Sequence, residues 1–267
     1  MKRQLPVELI YQIAALVVAL IMVHLVYITV VRPNAEAILE VRAEQSAAGE
    51  AVADEQSIYV MLKDFEQEAC FVLMLWAMAI MGYKSRAALR ERKLLGEDLI
   101  RLHEGMSILP EDTREYTRPI QALPANVQGC LLPRALLSAL QRFASTRNVQ
   151  DVSEAIKAIC DTESDRLDSE LAMVRYIAWA IPSIGFIGTV RGISQALGQA
   201  YKAVEGDIAG VTASLGVAFN STFIALVISI IIMFLMHQLQ LLQERLVLDA
   251  QTYCDQRLLA HLQVRES

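Results

Sequence analysis

Gly185-Phe186-Ile187-Gly188-Thr189-Val190-Arg191-Gly192-Ile193 ends one apolar segment, and Asn220-Ser221-Thr222 lies inside the next, Ala213 to Met236. Small residues spaced along an apolar helix let a second helix come close, and in lipid this close packing takes over the role that hydrophobic burial plays in water. Gly185, Gly188, Gly192 and, on the second segment, Gly216 are read as a helix-packing motif, with Pro182 just ahead of it. Hydroxyls and an amide among these residues mean that the contact keeps polar groups where bare hydrocarbon tolerates none. Two packed membrane helices follow from this stretch.

The rest of the chain agrees. Its 267 residues are 54% hydrophobic, and the longest apolar runs reach the length that crosses a bilayer. Four transmembrane helices are expected, at 10–32, 67–83, 173–198 and 210–237. Ile10 to Val31 carries no charge and, at ~1.5 Å per residue, covers the ~30 Å hydrocarbon layer; it is too long and too apolar for a cleaved signal segment. The second span has a shorter apolar part, Ala69 to Tyr83, which Ile58 to Leu62 is able to lengthen. The fold class is an all-α integral membrane protein.

Lys and Arg near the span ends set the orientation. Lys2 and Arg3 precede the first span, and Lys84, Arg86, Arg90, Arg92 and Lys93 follow the second. The N-terminus (1–9), the connection 84–172 and the C-terminal segment 238–267 are therefore expected in the cytoplasm. The segment 33–66 is dominated by Glu and Asp and is expected as an acidic outer hairpin bent at Ser46 to Gly49, with 199–209 as a second outer turn. Both termini then share the cytoplasmic side of a bacterial inner membrane.

The connection 84–172 reads as a helical cytoplasmic domain broken at Pro110, Pro119, Pro124 and Pro133. Ser85 to Glu104 is expected as one helix with a stripe of Leu89, Leu94, Leu95, Leu99 and Leu102, and Asp151 to Met173 as another with Val152, Ile156, Ile159, Leu167 and Leu171 inward. Leu239, Leu242, Leu246, Tyr253 and Leu259 continue the last span as a third, so the three can form one bundle. That bundle either packs only on itself or offers a surface to a cytoplasmic partner.

Motifs of soluble chemistry are missing: no phosphate-cradling GxxxxGK[ST] loop, no HExxH, no GxSxG. No enzyme signature, cofactor or metal set is expected. The net charge of −6 and the lack of a basic patch argue against nucleic acid. Cys70, Cys130, Cys160 and Cys254 form no CxxC pair and read as ordinary thiols. No acid is expected in the apolar core of any span, and the ionisable group there is His24, a relay or an interhelical contact. Thr189 and Thr222 offer hydroxyls that donate and accept, so they can pass a proton without storing it, although back-bonding to a carbonyl one turn earlier is the ordinary use of a membrane threonine. Arg191, costly in hydrocarbon, is expected to pair with Glu205 or Asp207 at the outer mouth of the hairpin.

The pattern Ile177-Ala178-x-x-x-Pro182-x-x-Gly185-x-x-Gly188-Thr189-Val190-x-Gly192-Ile193, followed by Ile208-Ala209 and a hydroxyl-bearing helix, resembles the MotA/TolQ/ExbB proton-channel family over roughly Leu171 to Gln240. The resemblance implies a channel-forming subunit of a motor or energy-transducing complex driven by the proton-motive force. It implies that Thr189 and Thr222 line the ion path, with Ser221 the equivalent of Thr222 under a one-residue slip and Asn220 an added amide beside them. It further implies a homopentamer around a dimer of single-pass MotB-, TolR- or ExbD-like partners whose aspartate carries the ion, H+ ahead of Na+. Arg191 departs from the pattern, which usually has an apolar or aromatic residue there. The competing class is a non-conducting scaffold whose cytoplasmic helices recruit another protein.

Overall fold

The computed structural model describes residues 4–47, 57–100, 107–204, 206 and 208–264. Among them the backbone is helical nearly throughout, and no strand forms beyond an isolated bridge between Ile108 and Leu262. In chain order the helices are α1 (Gln4–Val26), α2 (Arg32–Ala47), α3 (Ile58–Leu62), α4 (Phe65–Leu94), α5 (Thr113–Gln121), α6 (Ala125–Gln128), α7 (Leu131–Thr146), α8 (Val149–Glu170), α9 (Ala172–Gly198), α10 (Ala200–Val204) and α11 (Ala209–Arg257). A π-helical segment, Tyr27–Val31, joins α1 to α2, and a 3-10 turn, Leu259–His261, follows α11. Four stretches are long and apolar enough to cross a membrane: Val7–Arg42, Phe65–Leu94, Val149–Gly198 and Ala209–His261. The chain divides into two compact units, residues 1–82 with 173–236 and residues 83–172 with 237–267.

In the first unit α1 is apolar all round, and most of its large side chains, among them Ile10, Val18, Ile21 and Leu25, are exposed. Such a helix is stable only in lipid or deep inside protein. A narrow stripe, Val23, Tyr27 and Val31, packs on Leu62, Phe71, Val72 and Leu75. Trp76 Nε1 donates to the Gln12 carbonyl at 2.9 Å and the Tyr11 hydroxyl to the Ala79 carbonyl at 3.2 Å, which fixes the register of α1 on α4. The helix does not stop at 32, where the first span was expected to end. Pro33 has no N–H to give and crowds the turn before it, and the chain answers with a wider turn: the Arg32 N–H bonds to the Tyr27 carbonyl and the Asn34 amide donates to the Val30 carbonyl at 2.7 Å.

Two further expectations change. Ile58–Leu62 is a separate short helix rather than an extension of α4, because Lys63 and Asp64 interrupt the backbone and the Glu68 N–H closes on the Asp64 carbonyl at 3.3 Å. Of the bend predicted at Ser46 to Gly49, Ser46 and Ala47 still belong to α2, and the rest lies outside the described residues. Within 199–209, α10 adds a helical turn between α9 and α11.

The second unit is built on α7 and α8. Arg147 takes the left-handed conformation (φ 52°) that ends α7, and the Asn148 side chain accepts the Gln150 N–H at 2.9 Å to start α8. Leu136, Leu140 and Phe143 of α7, Val152 and Ile156 of α8, Ile120 of α5, and Ala250, Cys254 and Leu258 from α11 onward form its core. Buried charges are paired: Glu163 takes Arg134 at 2.6 Å and also Arg166, and Lys84 takes Glu170 at 2.7 Å. The helix expected over Ser85 to Glu104 ends at Leu94, where Gly96 enters a turn; Leu95 and Leu99 still reach the core, Leu89 points outward, and Leu102 lies outside the described residues.

Candidate functional site

Three glycines bring α9 onto α11. A Cβ on Gly185 would meet Ala225 Cβ at 2.5 Å, one on Gly188 would meet Ser221 Cβ at 2.5 Å, and one on Gly192 would meet the Ala218 nitrogen at 2.7 Å and the Ser214 carbonyl at 2.8 Å. No larger residue fits at these positions without moving backbone. The partners on α11, Ser214, Ala218, Ser221 and Ala225, are all buried. Gly216 takes no part in this approach, since a Cβ there would meet nothing within 4 Å; its place on α11 is off the contact face.

Pro182 sits inside α9 and leaves the carbonyl of Ala178 without its usual N–H partner. Ser229 of α11 donates to that carbonyl at 3.1 Å. The helix thus keeps its proline because the neighbour repairs the broken ladder, as the bilayer interior demands.

Along one edge of the seam the hydroxyls of Thr189 and Thr222 hydrogen-bond directly to each other. Thr222 Oγ1 also lies 3.2 Å from the Gly185 carbonyl, and Thr189 Oγ1 lies 3.3 Å from the same carbonyl and 3.1 Å from that of Ala218. Each hydroxyl owns one proton and accepts two more, so the pair has more acceptors than protons to fill them. The direction of its hydrogen bonds is reversible by rotation of two O–H groups. Both threonines remain partly exposed, and so does Asn220, two residues before Thr222 in the chain.

Ser221 faces the other way. It is 1% exposed, donates to the Val217 carbonyl at 2.8 Å and lies 3.4 Å from Gln67 Nε2 of α4. Of the two hydroxyls that sequence left open as the equivalent of one wall position, Thr222 is the one bonded to Thr189, and Ser221 belongs to the α4 contact.

Successive residues at the start of α4 serve different helices. Glu66 takes Arg191 of α9 at 2.8 Å, Gln67 reaches Ser221 of α11, and Glu68 takes His24 and Arg32 at 2.6 Å each. Turns of 100° per residue aim three neighbours in three directions, and the first turn of a helix favours carboxylates. In sequence this run belongs to the acidic loop or its edge, and the acids expected against Arg191 are Glu205 and Asp207; the signal for a different pairing is Asp64-Phe65-Glu66-Gln67-Glu68 directly abutting an apolar helix.

Arg191 therefore has its acids on α4, with Asp64 at 3.6 Å as the second. Glu205 and Asp207, the partners expected for it, lie outside the described residues. Burial pushes the Asp64 carboxyl above the ordinary aspartate range, against the pull of Lys63 and Arg191. Among the described residues no His, Cys, Asp or Glu group is arranged to hold a metal ion.

Residues 131–252 match the model of the MotA/TolQ/ExbB proton channel family. The matched stretch contains the glycine seam and both threonines; it does not contain His24, Arg32 or the start of α4. Comparisons with curated proteins and with solved structures give no match.

Proposed function

We propose, from the match of residues 131–252 to the MotA/TolQ/ExbB proton channel family, an ion-path subunit of an energy-transducing complex, with the paired hydroxyls of Thr189 and Thr222 as its wall. The observation that carries this is their direct hydrogen bond on a seam of small residues, at a partly exposed edge. Neither hydroxyl stores a proton at ordinary pH, so the ion carrier that this wall faces is assigned to another chain, a carboxylate on a single-pass MotB-, TolR- or ExbD-like partner. A homopentamer around a dimer of that partner, in a bacterial inner membrane with both termini cytoplasmic, completes the reading; basic residues after α4's apolar part support the orientation. H+ is the proposed ion and Na+ the next to test. One charge moved down 100 mV releases ~2.3 kcal/mol, enough work per ion to alter a protein interface.

The test is ion uptake into liposomes holding the chain with its single-pass partner under an imposed potential. Uptake is expected to require the partner and to fall in Thr189→Ala and Thr222→Ala, while Ser221→Ala retains it. An intact complex that takes up neither H+ nor Na+ would replace this reading with a non-conducting scaffold whose cytoplasmic helices recruit another protein.

A further inference from the structure

Glu68 bridges two basic side chains that the threonine seam does not touch. Its Oε1 lies 2.6 Å from His24 Nδ1 and its Oε2 2.6 Å from an Arg32 Nη, and the carboxylate side chain is 11% exposed. Arg32 is held in place by the ring of Phe65, whose centroid is 4.7 Å from the guanidinium, and by that of Tyr27 at 5.9 Å. Tyr27 is 3% exposed and its hydroxyl has no partner among the described residues, an unspent donor and acceptor beside the cluster.

The π-helical segment makes this arrangement possible. In an unbroken α-helix residues eight apart, such as His24 and Arg32, sit about 80° round from each other. A π turn takes in roughly one extra residue, worth about 100°, and so returns Arg32 to within about 20° of the face that carries His24. Tyr27–Val31 is that segment, and it falls between the two residues it aligns. Such bulges are rare and tend to occur where function needs a side chain re-aimed.

The roles of the two basic groups differ. A guanidinium does not lose its proton, whereas an imidazole gains and loses one in the ordinary range of cellular pH. An ionised Glu68 only accepts, so His24 must present Nδ1–H to it in either state, and the proton that comes and goes is the one on Nε2. The histidine side chain is 51% exposed and, with Leu20, Phe65, Val72, Leu73 and Ile184, lines a cavity of about 480 Å³. Other ionisable groups on the packed elements are spent or neutral: Glu66 and Asp64 face Arg191, Cys70 lies against the Ile181 carbonyl, Tyr27 stands beside Arg32, and α9 contributes Ile184 to the cavity.

We infer that His24, oriented by Glu68 and set beside the fixed charge of Arg32, is a proton-binding site of this chain itself, taking one proton onto Nε2 from the cavity between α1, α4 and α9. Uptake forms one N–H bond at the expense of a hydronium O–H and changes the cluster from neutral to a single positive charge. The site stands apart from the proposed wall threonines and needs no partner chain, so its fate is separable from that of the channel reading.

The experiment is ring-15N histidine NMR of the full chain in lipid nanodiscs from about pH 5 to 9, with His24 assigned by its loss in His24→Gln. His24 is expected to pass from a doubly protonated ring to the Nδ1–H tautomer within that range. Glu68→Gln is expected to abolish the Nδ1–H tautomer preference, because an amide that donates as well as accepts no longer demands a ring N–H at that nitrogen. Arg32→Gln leaves the Glu68 carboxylate in place and is expected to keep the Nδ1–H tautomer, which keeps the test open should Glu68→Gln fail to fold; unchanged His237 and His261 signals certify the fold. A His24 ring that takes up no proton between these limits, an Nδ1–H preference that survives Glu68→Gln, or one already lost in Arg32→Gln would overturn the inference.

Discussion

The α9–α11 seam and the core of the second unit are both tightly packed, yet they are made of opposite materials. At the seam Gly185, Gly188 and Gly192 meet Ala218, Ser221 and Ala225, and backbone nearly touches backbone. In the second unit Leu136, Leu140, Phe143 and Ile156 fill the interior, each at most 1% exposed. Removing apolar surface from water rewards large side chains. Lipid offers no such reward, so helices there hold together through close contact, hydrogen bonds between them and repaired backbone. The difference teaches which substitutions each region tolerates: the seam resists any added atom, and the core resists any lost one.

The largest effect is expected at Gly192. Leucine there drives a Cβ into the Ala218 nitrogen and the Ser214 carbonyl, neither of which is a flexible side-chain end. Overpacking commonly costs about 1–3 kcal/mol when side chains yield, and against backbone the cost should exceed that range. Gly192→Leu should not yield a monodisperse protein in detergent, whereas Gly216→Leu, facing open space on α11, should elute and melt like wild type. A well-behaved Gly192→Leu chain would remove the basis for calling the seam incompressible.

Phe143→Ala tests the other side. Phe143 is fully buried, and truncating such a ring costs about 3–5 kcal/mol. Denaturant unfolding of the full chain, followed through a probe in the second unit, should show that loss, and Phe143→Leu only a fraction of it. If Phe143→Ala lost under about 1 kcal/mol, the core would be collapsing around the cavity as no tightly packed interior does.

Burial of the second unit in its own interior lowers reactivity as well. Desolvation, with Glu91 and Glu163 nearby, pushes the Cys130 thiol up from 9.0 to about 11. The thiolate is the reactive form, so at pH 8 its population is reduced by about a hundred-fold relative to an unperturbed thiol. Alkylation of Cys130, mapped by mass spectrometry, should be slow at pH 8 and accelerate as pH rises toward 11. Rapid labelling at pH 8 would show that this edge of the unit opens to solvent.

The two regions were unequally legible in the sequence. Four apolar stretches, the Gly185–Gly188–Gly192 spacing and the Val152, Ile156 and Leu171 stripe are periodic signals local to one helix, and periodicity is what a single sequence displays best. The polar contacts to α4 were not legible. Glu66, Gln67 and Glu68 resemble a loop's charges until α1, α9 and α11 are placed around them, and the ion pairs they make, with the Gln67–Ser221 bond, join residues 36 to 154 positions apart. Nor does sequence separate Ser221 from Thr222: adjacent hydroxyls differ only in which neighbour they face. The role of the π segment was equally hidden, because its cause, Pro33, reads as a helix end rather than as a wider turn.

The smallest effect concerns the repaired proline. Ser229 donates to the Ala178 carbonyl that Pro182 leaves free, and interhelical hydrogen bonds of this kind in membranes are worth about 0.6 kcal/mol, seldom above about 1.7. Ser229→Ala alone should therefore cost on that scale, visible as a small drop in melting temperature in detergent. The informative measurement is the double-mutant cycle with Pro182→Ala. Alanine restores an N–H at position 182, which can satisfy the same carbonyl from within α9. In that background Ser229→Ala should cost measurably less, giving a coupling energy that approaches the whole of the single-mutant loss. Equal costs in the two backgrounds would mean that Ser229 stabilises the seam by packing alone, and that the orphaned carbonyl finds its partner elsewhere.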